Sequence, residues 1–135
     1  MPASKKPTSL RIVLLGSGNL ATHLGLALKN KGYDIIQVYS RDLKHARLLA
    51  GKIKAEAINN LMLLDQNAGL YIIAVKDDAI QSIAAKLRLG NKLVVHTSGS
   101  VSSGVLDSSS THTGVFYPLQ TFTKSRPINW LDIPV

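Results

Sequence analysis

Short apolar runs alternate along this chain with segments whose apolar positions recur every three or four residues. Arg11–Leu15 (RIVLL) is the first such run and stops at Gly16. A run this short and continuous, bounded by glycine, predicts a strand buried on both faces. Leu20, Leu24, Ala27 and Leu28 then fall at helical spacing, and Gly32 stands where a helix C′ residue belongs. Asp34–Tyr39 (DIIQVY) predicts a second strand. Leu43, Ala46 and Leu49 mark a second helix, with Asp42 near its start and Gly51 near its end. Residues 54–58 give a short third strand. Asn59 is expected to cap a weakly patterned helix that runs to about Gln66. Residues 70–75 (LYIIAV) form the most apolar run and predict a central strand. Asp77 or Asp78 should cap the helix that carries Ile80, Ile83, Ala84 and Leu87 on one face. Residues 92–96 predict a fifth strand. A Ser/Gly-rich stretch with a short helix near Val105 and Leu106 follows, and residues 114–117 predict a sixth strand.

Strand and helix in strict alternation define an α/β domain: a doubly wound, mostly parallel Rossmann sheet with helices on both faces. Right-handed crossovers between parallel strands are the rule. They lead to the strand order 3-2-1-4-5-6, with a ligand expected at the carboxyl ends of strands 1 and 4.

Composition narrows the picture. The 135 residues are 45% hydrophobic and 18% charged, which suits one domain with a real core. No apolar run approaches the ~20 residues of a membrane span, so no membrane partner is expected. Residues 1–9 carry Lys5, Lys6, Pro2 and Pro7 without an apolar stretch behind them and read as a flexible tail. The absence of cysteine removes disulfides and thiolate metal sites. A cytoplasmic location fits that. Sixteen Lys and Arg against eight Asp and Glu give a net charge of +8. The basic residues are scattered (Lys29, Lys31, Arg47, Lys52, Lys54, Lys86, Arg88, Lys92) and do not interleave with aromatics. They therefore read as solvated helix faces, with a contribution to holding a polyanionic cofactor, and not as a nucleic-acid surface. Four dispersed histidines without companion carboxylates predict no metal site.

The candidate chemistry begins at Gly16-Ser17-Gly18-Asn19-Leu20-Ala21. This is a G-x-G-x-x-A turn lying after a strand and before a helix, where its mechanism requires it. Gly16 permits the tight turn. Gly18 lets the backbone approach a pyrophosphate. Ala21 is small where helix and strand meet, and Gly25 extends that small face. The helix N-terminus adds N–H donors and a positive dipole end. The cofactor-binding set is Gly16, Ser17, Gly18, Asn19 and Leu20. At the end of strand 2, Tyr39-Ser40-Arg41-Asp42 lacks the acidic residue expected for NAD near position 39 or 40. Ser40 and Arg41 suit a 2′-phosphate, which points to NADP. The plainer reading leaves Arg41 solvated and Asp42 a helix cap. Two rivals remain: an S-adenosylmethionine-dependent methyltransferase on the same fold, and a non-catalytic dinucleotide-binding or regulatory module.

Five segments together resemble a known family. They are Gly16-Ser17-Gly18-Asn19-Leu20-Ala21, Tyr39-Ser40-Arg41, Ala74-Val75-Lys76-Asp77-Asp78-Ala79-Ile80, His96-Thr97-Ser98-Gly99-Ser100 and Pro118-Leu119-Gln120-Thr121-Phe122. They are similar to NADP oxidoreductases that pair a Rossmann-like domain with an uncharacterised helical C-terminal domain. Those proteins are related to pyrroline-5-carboxylate reductases and β-hydroxyacid dehydrogenases. The resemblance spans nearly the whole chain, and its most specific parts are HTSGS and PLQTF. It implies hydride transfer between NADP and a small carbonyl or imine substrate. It further implies a homodimer completed by the second domain. Members often carry histidine directly before Pro-Leu-Gln; Tyr117 stands there here, so no role for that histidine carries over. On this reading residues 10–123 are the NADP-binding domain, residues 124–135 begin a connection to a further domain, and the sequence is a truncated product.

Hydride transfer to a carbonyl or imine needs a proton donor and a group that polarises the acceptor. His96 and Ser98, just beyond strand 5, are the catalytic candidates. The plainer reading makes His96 a hydrogen-bonded strand-end residue, with Ser98 and Gly99 shaping a turn. Val75 and Lys76, at the end of strand 4, join the cofactor set, Lys76 as a ribose contact or a solvated lysine. His23 and His45 are expected to be exposed on helices. His112 is not singled out by any feature.

Overall fold

The computed structural model describes residues 10–116. Six strands form one sheet: β1 (Arg11–Leu15), β2 (Asp34–Tyr39), β3 (Glu56–Ile58), β4 (Leu70–Ile73), β5 (Leu93–His96) and β6 (His112–Val115). Their order is β3-β2-β1-β4-β5-β6, and every neighbouring pair is parallel. The reversal of strand order falls between β1 and β4, as the alternation of elements requires. The expected Tyr117 end of strand 6, the Pro118–Phe122 segment, the tail of residues 1–9 and the connection at 124–135 lie outside the described residues.

The sheet is covered on both faces because its central strands are apolar throughout. Ile12 and Leu14 point to one face, with Ile35, Val38 and Ile72 beside them. There α1 (Asn19–Asn30) packs through Ala21 and Leu24, and α2 (Leu43–Ile53) through Ala46, Leu49 and Ile53. Val13 and Leu15 point to the other face, where Tyr71, Ile73 and Ile58 lie. That face is closed by α3 (Asp77–Ala84) through Ile80, Ile83 and Ala84, and by a 3-10 helix at Ser103–Leu106 through Leu106. A slip in the β1–β2 register between Ile12 and Val13 brings Val13 opposite Gln37.

The helix ends follow local chemistry. Gly32 has φ +93°. The Gly32 N–H donates to the Lys29 carbonyl at 3.0 Å, and the Tyr33 N–H to the Leu28 carbonyl at 3.1 Å. These are the two bonds of a Schellman close. Asp42 caps α2, accepting from the Lys44 N–H at 2.9 Å. Gly51 lies in the last turn of α2, near its end as expected. Three details differ from the sequence expectation. The left-handed residue Lys54, at φ 59°, closes α2. That shortens β3 to Glu56–Ile58. The stretch after β3 is not a helix to Gln66 but a single 3-10 turn, Leu61–Leu63, capped by Asn60 rather than Asn59. Neither Asp77 nor Asp78 caps α3. Lys76 holds the cap position, and both acids sit in the first turn.

The β3–β4 connection stays extended because buried polar groups tie it down. The Gln37 side-chain amide donates to Glu56 Oε1 at 2.9 Å and to the Leu63 carbonyl at 3.0 Å, while its oxygen accepts from the Asp65 N–H at 2.8 Å. Tyr71 donates to the Asp65 carbonyl and accepts from the Ala68 N–H at 3.2 Å. Each of these bonds satisfies a buried group that would otherwise cost roughly 1–3 kcal/mol.

Candidate functional site

The turn between β1 and α1 stands at the carboxyl edge of the sheet, against the loop that leaves β4. Gly16 is buried at φ +136°. A Cβ there would lie 2.2 Å from the Ala74 carbonyl oxygen and 3.4 Å from Val75 Cγ1. Its N–H donates to the Tyr39 carbonyl at 2.8 Å. Gly16 is therefore fixed by the fold itself: the turn is wedged between the ends of β2 and β4. Gly25 serves packing as well, since a Cβ would meet Leu14 Cδ2 at 3.2 Å and Ile53 Cδ1 at 3.5 Å.

Gly18 is different. It is exposed, with φ −79° and ψ −160°, and nothing among the described residues lies within 4 Å of where its Cβ would stand. The protein's own packing does not require glycine here; the bare backbone faces outward. Gly18 is also the N-cap of α1, and no side chain caps that helix or places an acid in its first turn. The first-turn N–H groups of Asn19, Leu20 and Ala21 lack intrahelical acceptors by the geometry of any helix start. Ser17 is half-buried, and its carbonyl accepts from the Thr22 hydroxyl at 3.5 Å. Such an open N–H cluster with the positive end of a 12-residue helix behind it has the chemistry to receive an anion. The residues fit a pyrophosphate.

Ser40 and Arg41 follow β2 on the same edge. The Ser40 N–H donates to the Ile58 carbonyl at 3.1 Å, and its hydroxyl accepts from the Asp42 N–H at 3.3 Å. Arg41 is exposed and makes no ion pair among the described residues, whereas Asp42 is engaged with the α2 cap and with His45 at 3.8 Å. Val75 is half-buried beside Gly16, and Lys76 is exposed at the start of α3. The cofactor candidates therefore line one edge, from the end of β2 across β1 to β4.

Beyond β5 the chain folds into a hydrogen-bonded knot. His96 is fully buried. Its Nδ1 accepts from the Ser98 N–H at 3.1 Å, so Nε2 carries the proton, and it stands 3.2 Å from the Ser102 carbonyl as donor. Both ring nitrogens are thus used inside the protein, as in the plainer of the two sequence readings. Ser98 is nearly buried, and its Oγ accepts from the Ser100 N–H at 3.1 Å. The Ser100 hydroxyl donates to Asp77 Oδ2 at 2.7 Å. Hydrogen bonds from Ser100 and then Ser98 outweigh desolvation and hold the Asp77 carboxyl below its usual range. Sequence reading missed Asp77 as part of this group, because its partner is 23 residues away.

Other residues stand apart. His23 is buried on α1, not exposed, and burial lowers its pKa. His45 is exposed as expected. His112 is exposed at the start of β6, beside the Asn91 carbonyl. A separate open cavity of about 730 Å³ begins at Tyr39 and runs along the β3–β4 connection past Asn60 and Met62 to Lys86 and Arg88. Its lining includes the start of the Leu61–Leu63 3-10 turn but neither the glycine turn nor the start of α1.

A parallel sheet of order 3-2-1-4-5-6, with a glycine turn at its strand-order reversal, defines the Rossmann class. Residues 11–99 match the family described as NADP oxidoreductase, coenzyme F420-dependent, and the chain belongs to it. It is 44% identical to a Bacteroides fragilis protein assigned as an NADP oxidoreductase, with a TM-score of 0.81 over 93% of this chain and 50% of that one. A pyrroline-5-carboxylate reductase from Coxiella burnetii shares the fold at 21% identity and a TM-score of 0.58, over 73% of this chain and 39% of that one. So does an imine reductase from Bacillus cereus, at 15% identity and a TM-score of 0.64, over 82% and 41%. No curated protein matches the chain. The chain spans about half the length of the Bacteroides protein.

Proposed function

We propose that this chain is the NADP-binding half of an oxidoreductase that moves hydride between nicotinamide and a small carbonyl or imine. The observation that carries the reading is Gly18: a glycine that the fold does not need, at an uncapped helix start, facing open space. A pyrophosphate there uses both features. Family membership supports the oxidoreductase class over the methyltransferase alternative. Ser40 and Arg41 support NADP over NAD, because a 2′-phosphate at the end of β2 would meet a hydroxyl and an unpaired guanidinium.

From that seat the nicotinamide half would extend past Val75 and Lys76 toward the loop after β5. His96, with both nitrogens engaged, suits shaping that loop better than giving a proton to substrate. Ser98 borders the same loop. The full-length protein is proposed to be a homodimer whose second half completes the substrate pocket.

Calorimetric titration tests the cofactor reading. NADPH should bind more tightly than NADH. A charge-assisted hydrogen bond contributes roughly 1.5–3 kcal/mol, about ten- to a hundredfold in affinity. Arg41→Ala should erase most of that preference and leave NADH binding intact. Equal affinity of the unmodified chain for both would refute NADP.

A further inference from the structure

The loop after β5 is bonded within itself and to two neighbouring elements: at its base Thr97 donates to the Ile73 carbonyl of β4 at 3.5 Å, and at its rim it reaches α3. His96 holds Ser98 and Ser102, and Ser98 holds Ser100. The Ser100 hydroxyl donates to Asp77 on the first turn of α3 at 2.7 Å and ties the loop to that helix. Ser100 Oγ also lies 3.2 Å from Ser98 Oγ. A carboxylate only accepts, so the two hydroxyls can point their protons toward Asp77 without conflict. Asp77 in turn follows Ala74, Val75 and Lys76, the segment on which Gly16 rests at contact distance. The anion seat, the end of β4, Asp77 and the loop after β5 are therefore one connected series.

We infer that Asp77 is a positioning residue: it latches the loop after β5 to the start of α3 and so sets the wall that receives the nicotinamide half of the cofactor. The inference rests on the cofactor reading above. Asp77 and Ser100 are both exposed, while Ser98 and His96 are buried. The latch thus closes at the open rim, over a base that the core already holds. Asp78 supplies the control. It shares the first turn of α3 and the same favourable position in the helix dipole, but no serine bonds to it among the described residues.

The experiment titrates the chain with NADPH and with adenosine 2′,5′-bisphosphate, which lacks the nicotinamide half. Amide hydrogen exchange of residues 98–103 is followed in the cofactor-free protein. Asp77→Ala and Ser100→Ala should each speed that exchange. Each should weaken NADPH about tenfold and leave the bisphosphate unchanged. Asp77→Asn keeps an acceptor oxygen and should restore most of the affinity; Asp78→Ala should resemble the unmodified chain. Ser100→Ala removes one oxygen and keeps the test intact should Asp77→Ala fold poorly. Unaltered exchange in both variants overturns the latch. So does equal weakening of both ligands, which would mean a general loosening of the domain. If the unmodified chain binds neither ligand, the cofactor reading falls and this role of Asp77 falls with it. Faster exchange in the variants would then leave only a structural tie.

Discussion

Two glycines two residues apart stand in opposite surroundings, one packed and one open, and single substitutions separate their roles. Gly16 serves the fold: φ +136° and the Ala74 oxygen 2.2 Å from a would-be Cβ exclude any side chain. Gly16→Ala should lower stability by at least about 1–3 kcal/mol, read as a fall in denaturation midpoint. Gly18 is the proposed ligand contact. Gly18→Val should keep the melting temperature of the unmodified chain while NADPH binding collapses, because its branched side chain enters only the outward space. Normal NADPH affinity in Gly18→Val would remove the anion seat from this turn. Both glycines were legible in the sequence because they sit in a motif with a mechanical reason at each position. The division of labour was not, since it depends on the approach of Ala74, 58 residues further along. Asp77 escaped for the same reason. An acid in the first turn of a helix reads as a cap or dipole partner until the fold brings Ser100 beside it.

Strands and the two long helices follow from apolar periodicity, because burial on one or both faces leaves its period in the sequence. The β3–β4 connection does not, because polar ties shape it. Leu61 and Leu64 mimic helical spacing, yet the chain leaves the 3-10 turn extended at Leu64, where the Gln37 amide and the Tyr71 hydroxyl hold Leu63, Asp65 and Ala68. Gln37 comes from β2, so the signal lies 26 to 28 residues upstream of the segment it controls. Gln37→Leu should remove the partner of the Leu63 carbonyl and the Asp65 N–H, and because both residues reach water the cost should be that of ordinary hydrogen bonds, roughly 0.5–1.5 kcal/mol each. The loss should appear as faster amide exchange at Asp65, with β1 and β4 still protected. Protection at Asp65 equal to that of the unmodified chain would show that the connection holds itself.

At the scale of the molecule, the strand-order reversal places β1 and β4 side by side and gathers Gly16, Ser17, Gly18, Asn19, Leu20, Ser40, Arg41, Val75 and Lys76 along one edge. The Bacteroides relative is twice as long, and the proposed substrate wall lies in that further half. This chain should therefore bind NADPH yet turn over carbonyls, imines or oxidised F420 far more slowly than a chain of the relative's length. Holding reactants in a near-attack geometry accounts for up to ~7–11 kcal/mol of a barrier, so losing half of it costs several orders of magnitude in rate. Brisk NADPH oxidation by the chain alone would show that its site is complete. The most direct test of the central claim is an amide chemical-shift titration of the unmodified chain with NADPH. The account predicts the largest shifts at residues 16–21, followed by Ser40, Arg41, Val75 and Lys76. Shifts confined instead to the cavity lined by Asn60, Met62, Lys86 and Arg88, with residues 16–21 unmoved, would contradict it.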